Sequence, residues 1–372
     1  MAQGSVAAIV NHQHGARGAS EVDVLSWAML MAMRSIGRGQ VEGHLMLSLD
    51  PATLRGQGYP LLLQTGETFR GAALHDRQHQ HDFWMEVAGA YSHAVTRSLG
   101  VTAYAAAVGE PALGPVAFVM RPSAMDNPFA PIAHHWQDAT HVSFGVLTGG
   151  VFGKRWKVEG SAFNAREPDP ERWGFDPIGL GSASARMTVV PSERWAVSAG
   201  FGYLRHPELA DPAESPHRAT AALMYGATSA GGTRIAATAS WGMNVSSSTR
   251  HRTHGALVEA NVMLDAANSV FARTELVQKT ARDLVIVAQA TPPDRTFSLA
   301  TASFGYVRDV LRWRGASGGV GVAATVNVVP AALQSVYGSR TPFGALAFFR
   351  LRPAFGSDMS EMPGMKMEPN DD

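Results

Sequence analysis

The stretch "WAVSAGFGY", residues 195–203, is the clearest guide to the fold because its side chains change character at every second position. One face would carry Trp195, Val197, Ala199, Phe201 and Tyr203, and the other Ala196, Ser198, Gly200 and Gly202. Successive side chains of a β-strand point to opposite faces, so this period of two predicts a strand with unlike faces. A sandwich core and a membrane barrel both contain such strands, and the links between strands must distinguish them.

The same alternation recurs along the chain and predicts about sixteen strands. They are 4–12, 22–35, 40–50, 82–96, 100–109, 140–150, 154–164, 181–190, 194–205, 217–228, 233–246, 254–265, 268–280, 295–309, 317–328 and 342–352. Short links alternate with long ones, and the long ones are 51–81, 110–139, 165–180, 206–216, 247–253, 281–294 and 329–341.

Strict alternation of short and long links is typical of an up-and-down membrane barrel, and a Greek-key sandwich has no reason to produce it. We therefore predict an all-β fold, an up-and-down antiparallel transmembrane β-barrel of about 16 strands, with about 14 as the alternative because the first segment is poorly patterned. Long extracellular loops are expected to fill part of the pore.

Composition and the chain ends fit this class of protein. Acidic and basic residues balance at 31 each, so there is no basic surface for nucleic acid. No run of about 18 apolar residues occurs, which excludes an ordinary transmembrane helix. The start, "MAQGSVAAIV", lacks a charged segment before a long apolar core, so a bacterial outer-membrane location implies a signal peptide that has been removed or missed. We expect a barrel over residues 1–353 and a flexible, methionine-rich periplasmic tail over 354–372.

Two histidine-rich segments, "HDRQHQHD" (75–82) and "HHWQDATH" (134–141), lie at the ends of predicted long loops. The candidate metal ligands in them are His75, His79, His81, Asp82, His134, His135, Asp138 and His141. Because the strands that flank the two loops are neighbours, we expect both segments on one rim, where imidazoles and carboxylates could share a transition metal. The structural alternative is a plug whose histidines and carboxylates bond to Arg77 and Arg121.

Three sequence blocks resemble those of a protein family: "HDRQHQHDFWME" (75–86), "GEPALGPVAFVMRPSAMDNPFAPIAHHWQDATHVSFG" (109–145) and "FNAREPD" (163–169). They are similar to blocks of an uncharacterised family of proteobacterial outer-membrane β-barrels, often associated with copper and other metal resistance. The resemblance runs from about residue 20 to residue 352. The resemblance implies an outer-membrane location and an interaction with a metal, and it does not specify an activity. Members of the family have a longer leader than this abrupt amino terminus, so the resemblance does not decide whether the first predicted strand exists.

Four methionines follow the last predicted strand in "MSEMPGMKMEPNDD", residues 359–372. They are Met359, Met362, Met365 and Met367. Thioethers are soft ligands suited to Cu(I), and the chain has no cysteine to supply a thiolate. The alternative is a disordered tail of biased composition. An imidazole site together with a thioether site favours copper over zinc, so a copper ion is the candidate cofactor.

These features predict a non-catalytic barrel that handles metal, with copper transport or resistance as the function. The first alternative is a general or small-solute porin whose loop histidines are structural. The second is a loop-borne metalloenzyme such as a copper oxidase, which would need an open coordination position. No GxSxG, Walker loop or dinucleotide motif points to another chemistry. The expected partners are outer-membrane lipid, a metal ion or small solute, and a periplasmic metal carrier.

Overall fold

The computed structural model describes residues 1–286, 291–313 and 315–353 of the 372-residue chain. Within them, sixteen strands form one closed antiparallel barrel, which confirms the predicted fold class and the larger strand number. The predicted tail, with Met359, Met362, Met365 and Met367, lies outside the described residues. No helix in the described part of the chain is long and apolar enough to cross a membrane.

The described residues form eighteen strands and three short α-helices. The strands are β1 (Ala2–Gln13), β2 (Ser20–Ile36), β3 (Gly39–Leu47), β4 (Tyr59–Phe69), β5 (Ala72–Gln78), β6 (Trp84–Ala94), β7 (Gly100–Gly109), β8 (Ser143–Gly153), β9 (Trp156–Phe163), β10 (Ser182–Ser192), β11 (Trp195–Tyr203), β12 (His217–Thr228), β13 (Arg234–Val245), β14 (Arg252–Met263), β15 (Asn268–Thr280), β16 (Thr296–Trp313), β17 (Ala316–Val328) and β18 (Phe343–Pro353). The helices are α1 (Asp50–Thr53), α2 (His134–Gln137) and α3 (Gln334–Tyr337). All strands except β4 and β5 belong to the barrel.

Barrel strands pair with their neighbours in the chain, except that β3 pairs with β6 across the inserted β4–β5 hairpin. The barrel closes where β1 pairs with β18, with Val6 opposite Leu351 and Gln13 opposite Gly344. The first strand, poorly patterned in sequence, is therefore essential to closure. The short links lie at one end of the barrel, which we call the turn end, and the long links lie at the other, the loop end.

The two faces of the barrel wall differ in the way that the alternation predicts. In β14 the Val258 side chain is 61% exposed on the outside, whereas Leu257 and Glu259 are 2% and 1% exposed in the lumen. In β11, Trp195 and Phe201 are exposed on the outside. An apolar outer face and a polar inner face are the arrangement that a strand needs between lipid and a polar lumen.

Two long connections fold back into the barrel, and we call residues 48–83 and 110–142 together the plug. The first of them contains α1 and the β4–β5 hairpin, where the sequence analysis predicts only a loop. Leu63, Glu67 and Asp76 have positive φ values of 68°, 61° and 54°. Non-glycine residues rarely adopt this backbone conformation, and it interrupts the regular alternation by which a strand is recognised.

Polar groups from several sides of the barrel wall bind the plug. Lys279 of β15 donates a hydrogen bond to the Leu63 carbonyl at 2.6 Å, and Asn11 of β1 donates to the Pro60 carbonyl at 2.7 Å. Further hydrogen bonds join the plug to Ser161 of β9, Arg186 of β10, Arg218 of β12, Ser240 of β13 and Glu275 of β15. The plug is therefore fixed across the lumen.

Arg121 is a fully buried charge in the plug. Its Nε donates to Oε1 of Glu259 at 2.5 Å, and its Nη1 donates to Oδ2 of Asp138 at 3.1 Å. Arg273 donates to the other oxygen of Glu259 at 2.8 Å. Because an unpaired buried charge is strongly destabilising, these ion pairs tie the second plug segment to β14 and β15.

Replacing Val258 with arginine should destabilise the barrel by about 2–4 kcal/mol, because the charge would lie in hydrocarbon at mid-strand. The matched change Leu264→Arg, in the turn after β14, should cost about 1 kcal/mol or less because the charge there reaches the interface. Urea unfolding of the protein in lipid vesicles measures both free energies. Equal effects of the two changes would contradict a lipid-facing outer surface.

Replacing Arg121 with leucine should loosen the plug by about 3 kcal/mol or more, because Glu259 and Asp138 lose a buried partner. Amide hydrogen exchange in residues 110–142 should then become much faster, which mass spectrometry of peptides can measure. Arg155→Leu is the control, since that guanidinium is exposed and donates to the Pro191 carbonyl. Unchanged exchange in the Arg121→Leu variant would refute the anchoring role.

Candidate functional site

Five histidines of the plug lie together, and we call His79, His81, His134, His135 and His141 the histidine cluster. The ring centroids of His79 lie 6.3 Å from those of both His134 and His135. The ring centroid of His134 lies 5.3 Å from that of His135 and 5.2 Å from that of His141. His81 lies 5.6 Å from His141 and 6.5 Å from His79. The structure thus brings together imidazoles from both predicted segments.

Local structure explains why these side chains meet. The segment with His79 and His81 is the extended connection from β5 of the plug to β6 of the wall. His134 and His135 open α2, whose Trp136 donates to Thr253 and whose Gln137 accepts from Ser240. The helix is therefore fixed to β13 and β14, and it presents its histidines to the first plug segment.

Two of the imidazoles donate to backbone carbonyl groups. His79 Nδ1 lies 3.0 Å from the Gln80 carbonyl oxygen, and His141 Nδ1 lies 2.8 Å from that of Asp138. A carbonyl oxygen can only accept, so Nδ1 carries the proton in both rings. In the neutral ring the Nε2 atom then holds a free lone pair, which is the form that binds a metal.

Two others donate to carboxylates. His81 Nδ1 lies 3.0 Å from Asp50 Oδ2, and His134 Nδ1 lies 2.7 Å from Asp138 Oδ1. Burial disfavours the charge on Asp138, but His134 and Arg121 outweigh it and hold the pKa of that carboxyl below its usual range. An ionised carboxylate that orients a histidine through Nδ1 is the usual second partner of a metal-binding imidazole.

Four Nε2 atoms of the cluster are buried without hydrogen-bond partners among the described residues. In the described part of the chain, Nε2 of His81, His135 and His141 has none. His79 Nε2 lies 3.0 Å from Oε1 of Glu67, but the two groups are not oriented for a hydrogen bond. Buried polar atoms without partners are rare in proteins, so several in one place require an explanation.

Burial shifts the pKa of three imidazoles of the cluster. Burial lowers the pKa of His79 and of His135 well below the usual value, with smaller contributions from Arg172 and His134 respectively. Burial also lowers the pKa of His141 to about 3. These rings are neutral near pH 7, and a neutral ring is the form that coordinates a metal.

The separations between the rings of the cluster can be compared with those of metal-binding histidines. With a nitrogen–metal bond of about 2 Å, two ligating rings have centroids roughly 5–6 Å apart; three pairs, His134–His135, His134–His141 and His81–His141, lie in this range, and the three pairs with His79 lie at 6.3–6.5 Å. Among the described residues, however, no three imidazole or carboxylate groups already have their ligand atoms gathered around one point. The cluster is a set of free, oriented imidazoles and not a closed coordination sphere.

Two predicted ligands lie apart from the cluster. His75 Nδ1 lies 2.9 Å from Oδ2 of Asp76 and 3.3 Å from Nη1 of Arg17. Its ring makes no contact with other histidines of the described chain. Asp82 pairs with Arg172 at 3.0 Å, and burial raises its pKa to about 7. Arg172 also pairs with Glu67. Asp82 is therefore part of an ion pair that binds the plug to the 164–181 loop.

The alternative of a purely structural plug predicts that Arg77 and Arg121 both bond to histidines or carboxylates of the two segments. Arg121 binds Asp138, as that alternative predicts, whereas Arg77 pairs with Glu21 of β2 at 2.8 Å. Sequence reasoning missed Asp50, Glu67, Glu167 and Arg172 as neighbours of the cluster. The block "FNAREPD" could have indicated Glu167, because it lies in the next long loop of the same rim.

A cavity of about 500 Å³ opens at the turn end of the barrel and leads to the cluster. Gln3, Asp265 and Trp313 line its outer part, and Tyr59 and His81 line its inner part. We call this cavity the vestibule. His81 is therefore the member of the cluster that lines the vestibule.

Comparison with known proteins adds information on the fold alone. No family model matches the chain, and no curated protein matches its sequence. The chain is similar to an anion-selective porin from Comamonas acidovorans, with 10% identity and a TM-score of 0.57 over 95% of this chain and 98% of that one. It is also similar to Salmonella typhi OmpF in complex with daunomycin, with 9% identity and a TM-score of 0.56 over 95% of this chain and 97% of that one. A loop L8 deletion mutant of OmpT, an outer membrane protein of Vibrio cholerae, has 7% identity and a TM-score of 0.53 over 95% of this chain and 98% of that one. The chain has the barrel fold of porins.

Proposed function

We propose that this protein is a barrel of the bacterial outer membrane that binds a transition-metal ion, copper, at the histidine cluster and passes or holds it there without catalysis. The observation that carries this proposal is a group of four buried imidazole Nε2 atoms, of His79, His81, His135 and His141, that have no hydrogen-bond partner among the described residues. The vestibule gives an ion a route to His81, and ligand exchange among the rings would carry it deeper.

Energetics favour a ligand over a purely structural role for the cluster. A buried polar atom without a partner costs about 1–3 kcal/mol, and a plug that needed only packing would place apolar side chains there. Asp138, which orients His134, accepts hydrogen bonds from three donors, Phe118, Arg121 and His134. Other buried polar atoms nearby also lack partners in the described part of the chain, among them Gln80 Oε1 and Thr140 Oγ1, but four of the unpartnered atoms are imidazole Nε2 atoms, which are the ones a metal would use.

A general or small-solute porin is the second candidate, and the likeness of the fold to porins favours it. Free diffusion of solutes needs an open lumen, and hydrogen bonds between the plug and many wall strands oppose that. The two candidates differ in a measurable property. A porin conducts salt regardless of the histidines, whereas a metal-handling barrel depends on them.

The same proposal names the partners. The apolar outer face would contact outer-membrane lipid, and the vestibule at the turn end would receive or deliver the ion on the periplasmic side. A periplasmic metal carrier would exchange the ion there. The tail methionines remain predicted Cu(I) ligands on that side, to be tested by replacing all four with leucine.

The test is metal affinity of the full chain refolded in detergent. Changing His79, His134 and His141 together to glutamine should weaken Cu(II) binding by about tenfold or more, because three ring ligands are removed. The matched control changes His12, His206 and His251, which lie outside the cluster. Calorimetric titration measures the affinities, and a gel shift on heating verifies the barrel.

Equal Cu(II) affinity in the cluster variant and the control variant would refute the metal proposal. If, in addition, the parent and both variants carry the same salt conductance in planar bilayers, the porin candidate would take its place.

A further inference from the structure

A second, smaller cavity lies next to the histidine cluster. It holds about 30 Å³, close to the volume of one water molecule or ion, and it is largely enclosed. Its lining includes Met46, Met85, Met120, Glu86 and His141. We call it the methionine pocket. Three thioether side chains and one imidazole thus surround a space of the size that a single ion needs.

The pocket belongs to a concentration of methionine in one part of the lumen. Of the sixteen methionines, six lie in or against a single buried cluster. They are Met1, Met29, Met31, Met46, Met85 and Met120. Methionine is flexible and fills irregular gaps in protein cores, so packing alone would leave no cavity among three of them.

The backbone is irregular at this place. The register of β3 against β6 shifts between Met46 and Leu47, where Met46 pairs with Glu86 and Leu47 pairs with Trp84. The extra residue, Met85, is therefore unpaired, and it is buried together with the next residue, Glu86. A bulge redirects a side chain that regular alternation would turn to lipid, and bulges are frequent beside functional sites.

His141 supplies the second, independent indication of a ligand. Its side chain lines the pocket, and its buried Nε2 has no hydrogen-bond partner in the described part of the chain. Its Nδ1 already donates to the Asp138 carbonyl, so the free lone pair lies on Nε2. The carboxylate of Glu86 also lies beside the pocket, where it accepts from Tyr104 at 2.8 Å and pairs with His44 at 3.2 Å.

We propose that the methionine pocket binds Cu(I) through the thioethers of Met46, Met85 and Met120 and through Nε2 of His141. This inference rests on the proposed metal function and specifies the oxidation state that the inner site prefers. Thioether ligands select soft Cu(I) over Zn(II) and Cu(II). The carboxyl groups of Glu86 and Glu110 also line the pocket, and a monovalent ion is easier to bury there than a divalent one.

The pocket and the vestibule share a residue. Met120 lines both cavities, and Met125 and Met263 line the vestibule as well. His81, at the inner end of the vestibule, lies 5.6 Å from His141. Soft and imidazole ligands therefore follow one another from the turn end to the pocket, and a copper ion could move between them by ligand exchange.

The test compares Cu(I) affinities of full-length chains in which the four tail methionines are leucine throughout. The pocket variant changes Met46, Met85 and Met120 to leucine, and the control variant changes Met29, Met31 and Met224. Exchange of methionine for leucine conserves volume, so both variants should fold. Anaerobic competition with a Cu(I) chelator measures affinity, and X-ray absorption reports sulfur around the copper.

The pocket variant should bind Cu(I) about tenfold more weakly or worse and lose the sulfur signal, while the control keeps both. Unchanged Cu(I) affinity and sulfur signal in a folded pocket variant would overturn the inference. If Cu(II) affinity still falls on changing His79 and His134, the pocket alone is wrong and the proposed function stands. If neither change affects copper, both proposals fail.

Discussion

The width of the barrel determines the rest of the structure. A closed sheet of sixteen strands encloses more space than its inward side chains can fill, so the long connections enter the lumen. Once there, their polar groups must be bonded to the wall, and the buried Arg121 meets this need by joining Glu259 and Asp138. Asp138 also orients His134 and receives Nδ1 of His141 on its carbonyl. Asp138, the partner of the anchoring Arg121, therefore also orients two imidazoles of the cluster.

The barrel and the meeting of the two histidine segments could be predicted from the sequence, because consecutive strands of such a barrel are antiparallel neighbours. Alternating strands with short and long links determine which loops are neighbours, so the meeting of His79 with His134 follows from the order of strands. The β4–β5 hairpin did not follow, because positive φ at Leu63 and Glu67 breaks the pattern of a strand. The methionine pocket could not be predicted either. Its Met85 is buried through a bulge, and a methionine in a strand is by default part of a core.

Two kinds of ligand share the lumen and would treat copper differently. Under the two proposals, the nitrogen ligands of the histidine cluster would bind Cu(II), and the soft sulfur ligands of the pocket with Met46 and Met120 would bind Cu(I). Because His141 belongs to both groups and imidazole also binds Cu(I), a Cu(I) ion could pass from one to the other with no change of oxidation state. The porin fold would then serve as a rigid wall around a ligand path, and the plug would decide what crosses.

The most direct measurement of this account is anomalous X-ray diffraction at the copper edge from crystals of the full chain soaked with copper. The account predicts a peak inside the lumen, within bonding distance of His141 and of other histidines in the cluster or methionines in the pocket. A lumen without any peak, in crystals whose copper lies only on surface histidines such as His12 or His251, would contradict it.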